Sequence, residues 1–200
     1  MGSRDFFLGK IYMIRHGKAA AGWDGDADPG LDATGHVQAE AVAQDLATRL
    51  SAPVALYTSP LLRCRETAKP LEAMWQTEAV VEARVAEIPS PIEDLVARTV
   101  WLRRVMAGSW DELSADPDSA GMDFEGWRSD VVRALVTLGK GEDIVVFSHF
   151  IALNAAYCAA TGANQIVAFR PDNCSVSVFE TDGDALRLVT QGHEADTQVN

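Results

Sequence analysis

At 200 residues, with 48% apolar and 23% charged positions, the chain holds enough apolar material for one well-buried globular domain. A formal net charge of −12 argues against nonspecific nucleic-acid or anionic-membrane binding, no apolar run nears the roughly 20 residues of a bilayer span, and Met1-Gly2-Ser3-Arg4-Asp5 lacks a signal's apolar core, so a cytoplasmic protein is expected. Cys64, Cys158 and Cys174 are odd in number and widely spaced, which argues against a disulfide framework or a structural zinc site and predicts buried reduced thiols.

The apolar run Ile11-Tyr12-Met13-Ile14 predicts a first strand, and Arg15-His16-Gly17 follows it directly. A Gly- and Asp-rich loop over 17–30 leads to a helix over about 33–50, with Asp32 as N-cap and Ala39, Val42, Ala43, Leu46 and Leu50 on its core face. Beyond Pro53 a second strand is expected over 54–58. Ser59-Pro60 then opens a helix, the serine capping it and the proline at its first position, so that Arg63 lies in the first turn. A short strand at 79–81 leads into Arg84-Val85-Ala86-Glu87-Ile88, after which Pro89 and Pro91 interrupt regular structure. A helix over about 92–107 and an irregular acidic loop over 108–121 come next, then a helix marked by Phe124, Trp127, Val131, Leu135 and Leu138. The run 143–148 predicts a strand ending at His149, followed by a short apolar helix over 151–160. A hairpin closes the chain, with strands at 175–179 and 185–189 around an Asp182-Gly183 turn.

Strands alternating with helices predict an α/β fold of three layers, α/β/α, around a mostly parallel sheet with an antiparallel edge. The whole of 1–200 is read as one domain, with a small inserted subregion at about 88–123 over the site. Arg15, His16, Arg63 and His149 all lie just beyond predicted strand ends, where one crevice gathers them. Guanidinium groups bind phosphoryl oxygens bidentately and stay charged. One neutral imidazole can then attack phosphorus while the other donates to its oxygens, and Glu87 is the carboxyl best placed by sequence order to protonate the leaving oxygen and activate water.

Other candidates read more simply. His36 is expected to be solvated and His193 to lie in a polar tail, so neither completes a metal-ligand cluster; no metal or other cofactor is implied. Trp23, Trp101, Trp110 and Trp127 could contact an organic substrate but read first as packing residues, and Arg98, Arg103 and Arg104 either face the site or, the favoured reading, pair with nearby acids.

Taken together, these motifs resemble the histidine phosphatase superfamily, the phosphoglycerate-mutase-like group. Ile14-Arg15-His16-Gly17 matches its Arg-His-Gly signature, and 31–39 (LDATGHVQA) is similar to its L-x-x-x-G-x-x-Q-A segment. Ser59-Pro60-Leu61-Leu62-Arg63 with Glu66-Thr67-Ala68 resembles S-P-L-x-R-x-x-x-T-A, and Ser148-His149 the second histidine motif. The resemblance implies a phosphomonoesterase acting on a small phosphorylated molecule, with His16 phosphorylated, Arg15, Arg63 and His149 holding the phosphoryl group, and Glu87 the proton donor; Glu82, Glu93 and Asp94 stay open as rivals for that last role. The alternatives are a mutase of the phosphoglycerate type and a non-catalytic phospholigand-binding regulatory protein. Two departures bear on substrate choice: Lys18-Ala19 replaces an acidic-then-hydroxyl pair, and Phe150 stands where glycine is frequent, which implies a narrower, more apolar pocket mouth.

Overall fold

The computed structural model describes residues 9–22, 25–119 and 121–195; Trp23 and the opening residues 1–8 lie outside them. The sheet is built from β1 (Lys10–Arg15), β2 (Ala55–Thr58), β3 (Val80–Val81), β4 (Ile144–Ser148), β5 (Val176–Asp182) and β6 (Ala185–Thr190), in the order β3-β2-β4-β1-β5-β6. Strands β1, β2, β3 and β4 run parallel, whereas β5 is antiparallel to β1 and β6 to β5. Gly183, at φ +63°, sits in the hairpin turn, a left-handed conformation that glycine adopts without Cβ strain.

The central strands read as unbroken apolar runs because both of their faces are covered. Alternate residues serve opposite cores: Ile11, Met13, Ile144 and Val146 pack on one side, and Ile14, Val145 and Phe147 on the other. The second side is closed by α1 (Ala33–Arg49) and α2 (Leu62–Trp75), through Val42, Leu46, Cys64, Ala68 and Leu71. The first is closed by α3 (Leu95–Met106), α4 (Trp110–Ala115), α5 (Phe124–Leu138) and α6 (Phe150–Thr161).

Local chemistry sets the helix starts. The Asp32 side chain accepts from the Gly35 N–H at 2.7 Å, as an N-cap does, and Asp94 and Asp123 cap α3 and α5 likewise. Because Asp94 is the cap, α3 starts at Leu95 and not near 92. Pro60 and Ser59 stand outside α2: its N-cap is Leu61, with no side-chain cap, and the Ser59 hydroxyl is engaged elsewhere. The acidic stretch 108–121 is not an irregular loop. It holds α4, started by a capping box in which the Ser109 N–H donates to Glu112 at 2.8 Å and the Glu112 N–H to Ser109, with Trp110 and Leu113 buried beneath.

Candidate active site

Register brings the site together. In the parallel pairing Arg15 lies opposite Ser148, and Phe147 opposite both Ile14 and Thr58, so β1, β4 and β2 end at one level and release His16, His149 and Ser59 side by side. The His16 N–H continues the pattern, donating to the Ser148 carbonyl at 3.0 Å, and the Ser59 N–H donates to Phe147 at 2.9 Å. Past β1 the chain must squeeze against α1. A Cβ on Gly17 would stand 2.7 Å from the Gly35 carbonyl oxygen, and one on Gly35 would collide with the Lys18 carbonyl. The Gln38 side chain then receives the Lys18 N–H at 2.9 Å, and the Thr67 hydroxyl the Gly17 N–H at 3.0 Å.

Hydrogen bonding fixes the tautomers. His16 Nδ1 lies 2.8 Å from the Gly17 carbonyl oxygen, which can only accept, so Nδ1 carries the proton and Nε2 a lone pair. Arg63 Nε donates to that Nε2 at 3.2 Å. The same guanidinium reaches His149 Nδ1 through Nη2 at 3.2 Å, which puts the His149 proton on Nε2, directed to the Ser59 hydroxyl at 2.7 Å. Burial pushes both imidazoles well below the ordinary histidine range, with Arg15 and Arg63 adding to the shift at His16, and Arg63 foremost among the charges at His149. Both rings are therefore neutral.

Arg15 is buried over the Phe150 ring, 5.1 Å from its centroid, and burial lowers its pKa to about 10. Its Nη1 donates to the Pro171 carbonyl at 3.0 Å, and its Nε is buried with no partner among the described residues. Phe150 is itself buried, its bulk set against Arg15 instead of standing free at the mouth. Glu87 meets the start of α6: its carboxylate receives the Ile88 N–H at 3.0 Å and the Ile151 N–H at 3.2 Å. Burial outweighs these donors and the neighbouring Arg63 and Arg15 charges, holding its pKa above the usual carboxylate value.

Arg15, His16, Arg63 and Glu87 all line one cleft of about 430 Å³, together with Lys18, Asp32, Arg98, Phe150, Asp172 and Asn173. His149 is fully buried and is not on the cleft wall; its ring lies 5.3 Å from that of His16, behind Arg63. The three rival carboxyls are elsewhere: Glu82 is paired with Arg84, Asp94 caps α3, and Glu93 is exposed. Of the two readings for these arginines, Arg104 follows the favoured one, pairing with Asp116 and Asp118, and Arg98 the other, lining the cleft; Arg103 is exposed with no acid partner among the described residues. Trp101 and Trp110 are buried in the core with Trp127 packed against it, and His36 and His193 are exposed. Cys64 and Cys158 are buried free thiols, while Cys174 is only half-buried.

Sequence reasoning missed Asn173, whose side chain donates to the His16 carbonyl at 2.9 Å, and Asp172 beside it. The signal was the polar turn Arg170-Pro171-Asp172-Asn173 just before β5. That turn is laced to β1, the Cys174 N–H donating to Arg15 and the Arg15 N–H to Ser175.

A family model described as the histidine phosphatase superfamily (branch 1) matches residues 11–193. The chain is 25% identical over 195 residues to phosphoserine phosphatase 1 of Hydrogenobacter thermophilus, covering 86% of this chain and 87% of that one. In three dimensions it is similar to a mutant phosphoserine phosphatase of Entamoeba histolytica solved in complex with phosphoserine (TM-score 0.71, 21% identity, 91% of this chain and 95% of that one). It is also similar to phosphoglycerate mutase of Bacillus anthracis (TM-score 0.68, 15% identity, 94% of each).

Proposed function

The chain belongs to the histidine phosphatase superfamily, branch 1, and from that premise we propose that it is a metal-independent phosphomonoesterase that hydrolyses a small phosphorylated metabolite through a phosphohistidine on His16. The observation that carries this reading is the tautomer of His16. With its Nδ1 proton held by the Gly17 carbonyl, Nε2 presents a lone pair to the Arg63 guanidinium at the cleft, with the Arg15 charge also acting on the ring.

The phosphoryl oxygens take the donors of Arg15 and Arg63, including the Arg15 Nε that has no protein partner among the described residues. Arg63 Nε turns from His16 to the substrate, freeing the nucleophile. His16 Nε2 then forms a bond to phosphorus as the ester P–O bond breaks, and Glu87, which burial keeps prone to protonation, gives its proton to the leaving oxygen. In the second half Glu87 takes a proton from water, the water oxygen bonds to phosphorus, and the P–N bond breaks to return neutral His16. His149, whose Nδ1 accepts from Arg63 Nη2 behind the cleft wall, acts on the phosphoryl group through that guanidinium, holding it in place for the transfer. From the segment 88–123, Arg98 reaches the cleft wall.

A phosphate-release assay across a panel of phosphorylated metabolites, with His16→Ala as control, tests the proposal. We expect release of inorganic phosphate that is unaffected by EDTA and absent in the control. Transfer of phosphate to a second hydroxyl with no inorganic phosphate released assigns a mutase, and activity lost in EDTA and restored by Mg²⁺ or Zn²⁺ contradicts the metal-independent route.

A further inference from the structure

Along α3 the residues Trp101, Leu102 and Val105 are buried, while Val96, Val100, Arg103 and Arg104 are exposed. Arg98 stands three and four residues before Trp101 and Leu102, so it prolongs the inward stripe and not the solvent face. It is half-buried and lines the cleft, where two other cations are already matched: Lys18 pairs with Asp32 at 3.1 Å, and Arg63 reaches Asp28 at 3.7 Å. Arg49, Arg84, Arg104, Arg128, Arg133 and Arg187 each have an acid partner. Among the described residues Arg98 has none. Arg15 has none either, but it lies over the Phe150 ring, donates to the Pro171 carbonyl and faces the phosphoryl position; Arg65, Arg103 and Arg170 are also without one, and are exposed. With 29 acidic residues against 17 basic ones, an unmatched arginine half-buried on a cleft wall is not a shortage of acids.

We infer that Arg98 is a specificity-determining residue and that the substrate is a phosphomonoester carrying a carboxylate, which the Arg98 guanidinium receives while Arg15 and Arg63 hold the phosphoryl group. A planar guanidinium binds a carboxylate through two parallel N–H donors, the geometry that suits a small acid best. This rests on the phosphatase reading and adds its substrate class. Asp172, which also lines the cleft, suits a cationic or hydroxyl substituent on such a substrate.

The test compares two pairs of probes that differ by the carboxylate: O-phosphoserine against O-phosphoethanolamine, and 3-phosphoglycerate against glycerol 3-phosphate. The wild-type protein should favour the carboxylate member in kcat/KM by about tenfold or more, the worth of one charge-assisted hydrogen-bonded pair. Arg98→Ala should bring each ratio towards one, through KM more than kcat, and Arg98→Lys should keep part of it. A wild-type protein with no such preference overturns the inference without recourse to any variant. So does an Arg98→Ala protein that melts like the wild type and loses both members of a pair equally. Turnover of p-nitrophenyl phosphate without the carboxylate esters defeats this inference alone, whereas no phosphate release from any ester defeats the underlying phosphatase reading.

Discussion

At the scale of the residue, the chemistry turns on which atoms hold protons. In the proposed mechanism Glu87 must be protonated to help an alkoxide leave, and burial supplies that bias against two N–H donors and two guanidinium charges. Glu87→Gln should therefore slow the first phosphoryl transfer from alkyl phosphates by about 10²-fold or more, yet leave transfer from p-nitrophenyl phosphate much less affected, since nitrophenolate departs without a proton. Single-turnover kinetics reads that step, and equal losses on both substrates would move the proton donor to another group. The depressed histidines carry a stability signature. His16 and His149 stay neutral in the fold after an unfolded histidine has taken up its proton, so their contribution is complete above about pH 6.5 and is lost as pH falls towards their folded values. Glu87, raised in the fold, works in the opposite sense and offsets part of the effect. The slope from each buried histidine grows as pH falls below 6.5 and approaches about 1.4 kcal/mol per pH unit roughly one unit lower, where the unfolded ring is almost fully protonated. Denaturant melts of His149→Gln should thus show a shallower decline on acidification than the wild type; identical slopes would contradict the neutral, buried assignment.

At the scale of the element, the site depends on how closely α1 approaches the loop after β1. Gly35→Ala places a Cβ against the Lys18 carbonyl, backbone against backbone, where no side chain can yield. It should cost about 1–3 kcal/mol of stability and lower kcat/KM with it, by melts and steady-state kinetics; a variant with wild-type stability and activity would mean that the two segments are not packed so tightly. This contact was legible only as a pattern, since LDATGHVQA marks the glycine but not the carbonyl it accommodates. The strands and long helices were readable from apolar period and caps, as Asp32 and its bond to Gly35 illustrate. The misreadings have physical reasons. Over 108–121 the acidic residues outweighed the Ser109-Trp110-Asp111-Glu112 box, a helix start written in four residues. At Ser59 the capping preference of serine lost to a stronger local partner, the His149 Nε2–H, and α2 began uncapped by any side chain.

At the scale of the whole molecule, the proposed function asks an acidic protein to hold an anion, which it does by local arrangement. Three parallel strands ending at one level gather Arg15, His16, Ser59 and His149, and α2 adds Arg63 from above Ser59, a convergence the strand-end positions in the sequence anticipated. Depth was not legible, because a strand-end histidine reads the same whether it lines the cleft, as His16 does, or lies sealed behind an arginine, as His149 does. Nor was the turn before β5, since Asn173 contributes through long-range pairing with the His16 carbonyl and through no motif of its own. Inorganic phosphate should raise the melting temperature relative to chloride at equal ionic strength, by the linkage that gives about 2.7 kcal/mol at a hundredfold excess over Kd, and Arg63→Ala should abolish most of the shift. An equal shift in both salts would mean that the cleft does not bind the anion. The central claim is that His16 carries the phosphoryl group in transit. Its most direct test is to mix the protein briefly with a turned-over substrate labelled in its phosphate, quench in alkali, digest, and locate the label. The account predicts an alkali-stable, acid-labile phosphate on the peptide containing His16, and none in His16→Ala; label on a Ser, Asp or Cys residue, or turnover with His16 unlabelled, would contradict it.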